Sequence, residues 1–173
     1  MRKTIIFIFI IMFIASGALA EEIVVQMQLV NDQGAGKIIG AVTVADTNYG
    51  LLLTPQLSDL APGIHGFHVH QHPDCTAAVP DGKPAAAMAA GGHLDPLKTD
   101  MHKGPYGKGH LGDLPALYAD AEGKASMPVL APRLKVADIK GRSLMIHAGG
   151  DNYSDLPVKL GGGGARIACG VIR

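Results

Sequence analysis

An all-β sandwich or barrel is predicted by three features of this 173-residue chain. Short runs rich in β-branched residues recur along it, and clusters of Gly, Asn and Asp punctuate them. No segment sustains the 3.6-residue period of an amphipathic helix. Many short strands joined by glycine-rich turns are the pattern of two packed sheets, or of one sheet closed on itself.

The elements follow in order. The chain opens with a short basic stretch, Met1-Arg2-Lys3, then an apolar run over residues 5–14, then small residues ending in Ala18-Leu19-Ala20. That is the pattern of a secretory leader with an A-x-A cleavage site. The apolar run is too short to cross ~30 Å of hydrocarbon as a helix, and no cysteine follows the cleavage site to carry a lipid. Residues 1–20 are read as a signal peptide and 21–173 as one mature domain. Strands are expected over residues 23–30, 37–45, 50–54, 63–71, 124–130, 143–148 and 166–172. Asn31-Asp32-Gln33-Gly34, Asp46-Thr47-Asn48, Asp120-Ala121-Glu122-Gly123 and Lys140-Gly141 are the turns between them. Residues 73–121 form a long stretch rich in Gly, Pro and His, and a loop that long inside a compact domain is usually functional. Its alanine-rich patch at 85–90 is flanked by Pro84 and Gly91-Gly92, which favours loop over helix. A second irregular loop, 149–165, ends in four glycines.

The chain carries 15 basic and 15 acidic residues, a balance that lacks the basic footprint of a nucleic-acid-binding protein. The leader places the domain in an oxidising compartment, where disulfides persist. Its two cysteines, Cys75 and Cys169, are therefore read as one bridge.

Histidine carries the chemical signal. Seven of the eight histidines, His65, His68, His70, His72, His93, His102 and His110, fall within 46 residues of one another, and His147 stands alone. Neutral imidazole is the commonest protein ligand for copper and zinc. In His68-Val69-His70, residues i and i+2 of a strand face the same way, so both rings can reach one ion. Phe67 and Val69 then face the core, which places a metal on the outer face of the sandwich. Around His147 the alternation repeats, with Leu144, Ile146 and Ala148 opposite Ser143, Met145 and His147. His93, His102, His110 and Asp113 form a second group in the long loop. Three imidazoles and a carboxylate suit a closed tetrahedral zinc site, and such a metal would order a loop with few apolar anchors.

These residues resemble those of the bacterial periplasmic copper/zinc superoxide dismutases. The likeness is carried by Gly66-Phe67-His68-Val69-His70-Gln71-His72-Pro73-Asp74-Cys75 and by the C-terminal run from Gly161-Gly162-Gly163-Gly164-Ala165-Arg166 through Cys169 to Ile172. Gly91-Gly92-His93-Leu94-Asp95-Pro96, Gly109-His110-Leu111-Gly112-Asp113 and His147-Ala148-Gly149-Gly150-Asp151 match between them, in order.

The resemblance implies an eight-stranded Greek-key β-sandwich, or flattened barrel, with long metal-binding loops. It implies one copper per subunit on His68, His70, His93 and His147, and one zinc on His93, His102, His110 and Asp113, with His93 bridging the two. Asp151 matches the aspartate that bonds a copper and a zinc ligand, here His68 and His102. Arg166 matches the arginine that positions the substrate anion, and Arg166 and His93 are the catalytic pair. Lys103, Lys108 and Lys159 are candidates for an outer ring of steering charge. His65 is left as a hydrogen-bonded structural histidine on the core side, and His72 as an exposed one. The implied reaction is dismutation of superoxide to dioxygen and hydrogen peroxide in the periplasm, as antioxidant defence, with no nucleic-acid partner, no membrane anchor after leader removal, and a possible homodimer. The rival is a periplasmic copper/zinc carrier on the same fold. It would be free to lose Arg166 or the bridging histidine, and this chain keeps both.

Overall fold

The computed structural model describes residues 22–80 and 82–173, and the leader expected at 1–20 lies outside them. Nine strands form: β1 (Glu22–Asn31), β2 (Gly34–Thr47), β3 (Gly50–Leu57), β4 (Gly63–His65), β5 (Phe67–His70), β6 (Leu117–Ala119), β7 (Val129–Ala131), β8 (Ser143–His147) and β9 (Arg166–Val171). One helical turn, α1 (Val136–Ile139), separates β7 from β8. Seven strands make one sheet in the order β5-β8-β9-β1-β2-β3-β7, and β4 pairs with β6 in a second ladder. Every pairing is antiparallel, and the large sheet curls into a half-barrel.

The seven expected runs become nine strands because one of them is split and β6 lies outside all of them. β4 and β5 are the single run expected over 63–71, parted at Gly66. The Gly66 N–H donates to Gly149 O at 2.8 Å and its carbonyl accepts from the His147 N–H at 2.9 Å, so the chain changes ladders there without losing a bond.

The core follows the alternation of the strands. Val25 and Met27 of β1, Val42 and Val44 of β2, Leu51 and Leu53 of β3, Phe67 and Val69 of β5 and Leu144 and Ile146 of β8 pack in one buried cluster. A second, smaller cluster sits on the other face of the sheet, where Val30, Met145 and Cys169 meet Cys75, Ala87 and Ala90 of the long loop. This loop cover explains why all five residues of β8 are buried rather than every second one.

Three elements depart from expectation. The run at 124–130 pairs with β3 only at Val129–Ala131, while Ala125 makes a lone bridge to Leu57. Pro128, between them, has no N–H to continue a ladder. β6 and α1 are three and four residues long, too short for a period to be seen in sequence. The patch at 85–90 is loop, with a single 3₁₀ turn at Met88–Ala90.

Candidate metal centre

β5 is the terminal strand of the large sheet, and its free edge organises the site. The long loop returns to that edge twice, forming isolated bridges His70↔His93 and His68↔Asp113. Leu94 N–H donates to Val69 O, Val69 N–H to Gly112 O and Gly112 N–H to Leu94 O, each at 2.8 Å. A Cβ on Gly112 would lie 2.3 Å from Val69 O, so only glycine permits this closure. His93 and Asp113, twenty residues apart in sequence, are thereby pinned beside His68 and His70. β8, the other neighbour of β5, brings His147, which pairs with Arg166 of β9 just past a register shift in that ladder. The Cys75–Cys169 disulfide fastens the loop to β9.

The outer face expected for His68 and His70 is opposite the Phe67–Val69 core, but it is not open. All six clustered histidines and Asp113 are at most 8% exposed beneath the loop. Ligand atoms of His68, His70, His93 and His147 lie within 4.8 Å of one another, as do those of His68, His93, His102 and Asp113. His68 and His93 belong to both sets, and their rings stack with centroids 3.9 Å apart. His110 reaches the second set through Nδ1, 3.4 Å from Asp113 Oδ1.

Four of the rings, those of His68, His70, His102 and His147, turn one nitrogen away from the site to a protein oxygen. His70 Nδ1 is 2.9 Å from Gly91 O, and His147 Nδ1 is 3.0 Å from Gly164 O. Asp151 holds His68 Nε2 at 2.9 Å through Oδ2 and His102 Nε2 at 2.7 Å through Oδ1. The opposite nitrogens His68 Nδ1, His70 Nε2 and His147 Nε2 are buried with no hydrogen-bond partner, while His102 Nδ1 and His110 Nδ1 lie beside the Asp113 carboxylate. Such atoms are costly to leave unmatched. Here they face one another, and in His68, His70, His102 and His147 the oxygen on the far side of the ring fixes which nitrogen is free for a metal. Around Asp113, His93 Nδ1 lies 3.0 Å from Oδ1 and His102 Nδ1 3.1 Å from Oδ2. The residues therefore fit two ions: a nitrogen-only set suited to copper and a three-imidazole, one-carboxylate set suited to zinc.

The electrostatics divide the same way. Burial, reinforced by neighbouring His93, pushes His68 down to about 3. Burial likewise takes His147 to about 4, and lowers His70 and His93. These rings stay neutral and ready to bind a metal at neutral pH. Burial also opposes charge on His102, but the Asp113 and Asp151 carboxylates beside it prevail and raise it to about 9. The same histidines hold both carboxyls below their ordinary range against burial.

Arg166 lies at the rim of the nitrogen-only set. Its Nη1 donates to Ala87 O at 2.6 Å and its Nη2 to Gly91 O at 2.7 Å, the carbonyl that also holds His70. His65 is buried with both ring nitrogens 2.7 Å from backbone carbonyls, those of His147 and Ala61, and belongs to neither donor set. His72 is exposed, as are Lys103, Lys108 and Lys159. Sequence reasoning missed Asp155, whose Oδ2 accepts from the His102 N–H at 2.8 Å, and Tyr153, whose hydroxyl accepts from the Ala116 N–H at 2.9 Å. Both tie the 149–165 loop to the 73–121 loop, and no spacing rule marks them.

A curled antiparallel sheet with two adjoining donor sets that share His68 and His93 defines a binuclear metalloprotein of the all-β class. The copper/zinc superoxide dismutase family profile matches residues 38–172. The chain is 55% identical over 161 residues to a Cu-Zn superoxide dismutase of Escherichia coli K12, covering 92% of this chain and 93% of that one. The structure of a Cu/Zn superoxide dismutase from Brucella abortus superposes with a TM-score of 0.87 at 53% identity, over 88% of this chain and all of that one. The monomeric copper, zinc superoxide dismutase from Salmonella enterica superposes with a TM-score of 0.80 at 54% identity, over 88% of this chain and 100% of that one. The chain belongs to the copper/zinc superoxide dismutase family: it is an oxidoreductase that dismutates superoxide, with copper and zinc as its cofactors.

Proposed function

We propose that His68, His70, His93 and His147 hold copper, that His93, His102, His110 and Asp113 hold zinc, and that Arg166 and His93 act on the substrate. The observation that carries this is the gathering of buried ring nitrogens, unpartnered in His68, His70 and His147, into two adjoining donor sets, with His110 Nδ1 beside Asp113. His68 lies close enough to the carboxylate group to compete with His110 for the zinc role. Its Nε2 is already engaged by Asp151, and its free Nδ1 belongs with the nitrogen-only set, whereas the free Nδ1 of His110 lies beside Asp113.

Bound copper supplies a centre that alternately takes and returns one electron, while zinc adds charge without redox chemistry. The chain's own residues do the rest. Two superoxide anions and two protons become one dioxygen and one hydrogen peroxide. Arg166 has its guanidinium clamped from behind by the Ala87 and Gly91 carbonyls, which leaves its remaining N–H groups to bind and orient a small anion. Its position is fixed before the anion arrives, so no side-chain ordering is needed at encounter. His93, whose Nδ1 lies on the Asp113 side, takes up a proton at Nε2 in one half of the cycle and delivers it to the reduced product in the other. The Lys103, Lys108 and Lys159 side chains extend the positive field outward.

We further propose that residues 1–20 direct export, that 21–173 is the mature domain and that it works in the periplasm. One chain holds every residue of both donor sets, so a homodimer would leave the chemistry unchanged.

The test uses protein recovered from the periplasm, its first residue read as Glu21, loaded with one copper and one zinc. Superoxide removal is followed against ionic strength for this protein and for Arg166→Ala. The variant is expected to keep its copper, to fall about tenfold or more in rate, and to lose much of its salt dependence. An unchanged rate with an unchanged salt slope refutes the role of Arg166.

A further inference from the structure

Arg133 lies between β7 and α1, in a segment that contributes nothing to either donor set. Its guanidinium makes four hydrogen bonds, all to carbonyls of one stretch of loop. Nε donates to Pro105 O at 2.9 Å, Nη1 to Gly109 O at 3.2 Å, and Nη2 to both Gly104 O at 3.1 Å and His110 O at 2.6 Å. That stretch joins His102 to His110 and contains no strand or helix. One backbone hydrogen bond, His110 N–H to Met101 O at 2.9 Å, closes its base. Among the described residues no carboxylate forms an ion pair with Arg133.

We propose that Arg133 is a positioning residue for zinc: it gathers the carbonyls of residues 104–110 around one planar cation and so fixes where His102 and His110 point. The proposal rests on the ligand assignment above. Four carbonyls brought to one place repel one another unless a donor stands among them. Arginine offers five N–H groups in a rigid fork, and here four directions of that fork are used. Lysine carries the same charge at a single point, on a flexible stem, and cannot span the same carbonyls. Without the clamp, the loop between the two histidines would have to be ordered when zinc binds, and the affinity would fall by that entropy.

The experiment compares Arg133→Lys and Arg133→Ala with the parent chain. Zinc affinity is read by chelator competition on metal-stripped protein. The visible spectrum of cobalt placed in the zinc set reports ligand geometry, copper affinity is measured separately, and the unfolding midpoint of the metal-free chain is the control for folding. Both variants are expected to bind zinc about 10–100-fold more weakly, to show an altered cobalt spectrum, and to keep copper affinity and the metal-free midpoint close to the parent's. Parental zinc affinity and cobalt spectrum in both variants overturn the proposal. So does full rescue by lysine, which would make charge alone sufficient, and so does a drop in copper affinity and metal-free midpoint that matches the drop in zinc. His110→Ala, run alongside, separates the two readings: if it binds zinc like the parent, the ligand assignment itself has failed.

Discussion

Asp151 gives one carboxylate oxygen to each half of the centre. Oδ2 holds His68 Nε2 and Oδ1 holds His102 Nε2, while the Tyr153 N–H also donates to Oδ1 at 2.7 Å. Both rings therefore present Nδ1 to the site, and the two ions are coupled through a residue that binds neither. Asp151→Asn tests this coupling. An amide has one accepting oxygen and a donating NH2, so it can satisfy only one of the two ring N–H groups. The expected result is a chain that folds but holds zinc about 10–100-fold less tightly, read by chelator competition. Parental zinc affinity would contradict the role given to Asp151. At this scale much of the centre was legible, because strand geometry alone puts His68 and His70 on one face and His65 on the other. Asp155 and Gly91 were not. One acts on the His102 N–H and the other through its carbonyl, and a backbone contact leaves no mark on residue type.

β1, β2, β3, β5, β8 and β9 are the strands the sequence marks, because a repeat of two sends their apolar side chains into the core, even where a loop also buries the other face of β5 and β8. β6 and α1 owe their form to the partners they meet. β6 is held by β4, and the Val136 N–H at the start of α1 donates to Asp46 Oδ1 at 2.9 Å. The two long loops are the extreme case. Their length and composition announced a function, but the return of residues 93 and 113 to the free edge of β5 is a long-range pairing that no local pattern encodes. Within the 149–165 loop, Gly161 has φ +72°, and a Cβ there would fall 1.9 Å from Asp151 Oδ1 and 2.9 Å from His102 Nε2. Gly161→Ala should therefore displace Asp151 even though it removes no polar group. Metal analysis after dialysis is expected to show zinc lost first, with superoxide removal falling alongside it. Full retention of both metals would mean that the loop can open without disturbing the carboxylate.

Taken as one molecule, the protein is a half-barrel with two loops laid over one face, and its stability is coupled to the centre those loops build. The Cys75–Cys169 link spans 94 residues of sequence, a cross-link worth roughly 4–5 kcal/mol in the chain-entropy account. It holds the loop that supplies Gly91 O against the strand that supplies Arg166. The remaining coupling is ionic and has a definite sign. In the unfolded chain the histidines titrate near 6.5. In the folded, metal-free chain His68 is at about 3 and His147 at about 4, with His70 and His93 also lowered. Between pH 6.5 and about 3 the unfolded chain therefore binds more protons than the folded one, and acidification through that window destabilises the fold. The lowered carboxyls of Asp113 and Asp151 act in the same direction at the acid end, since their contribution is present above their unfolded value and is lost as pH falls through it. His102, raised to about 9, works oppositely: its contribution is complete below pH 6.5 and is lost as pH rises through 9. The two trends meet near the unfolded histidine value. Calorimetry of the metal-stripped protein at low salt should then show an unfolding midpoint that is highest near pH 6.5 and falls on both sides, more steeply toward acid, where four histidines act together. Copper and zinc bind only the folded chain's assembled sites and displace these protons, so loading both metals should raise the midpoint and flatten the alkaline limb, where His102 would no longer titrate. A metal-free midpoint that climbs steadily to pH 9 would show that the carboxylates do not hold a proton on His102, and the electrostatic account of the zinc set would have to be rebuilt without it.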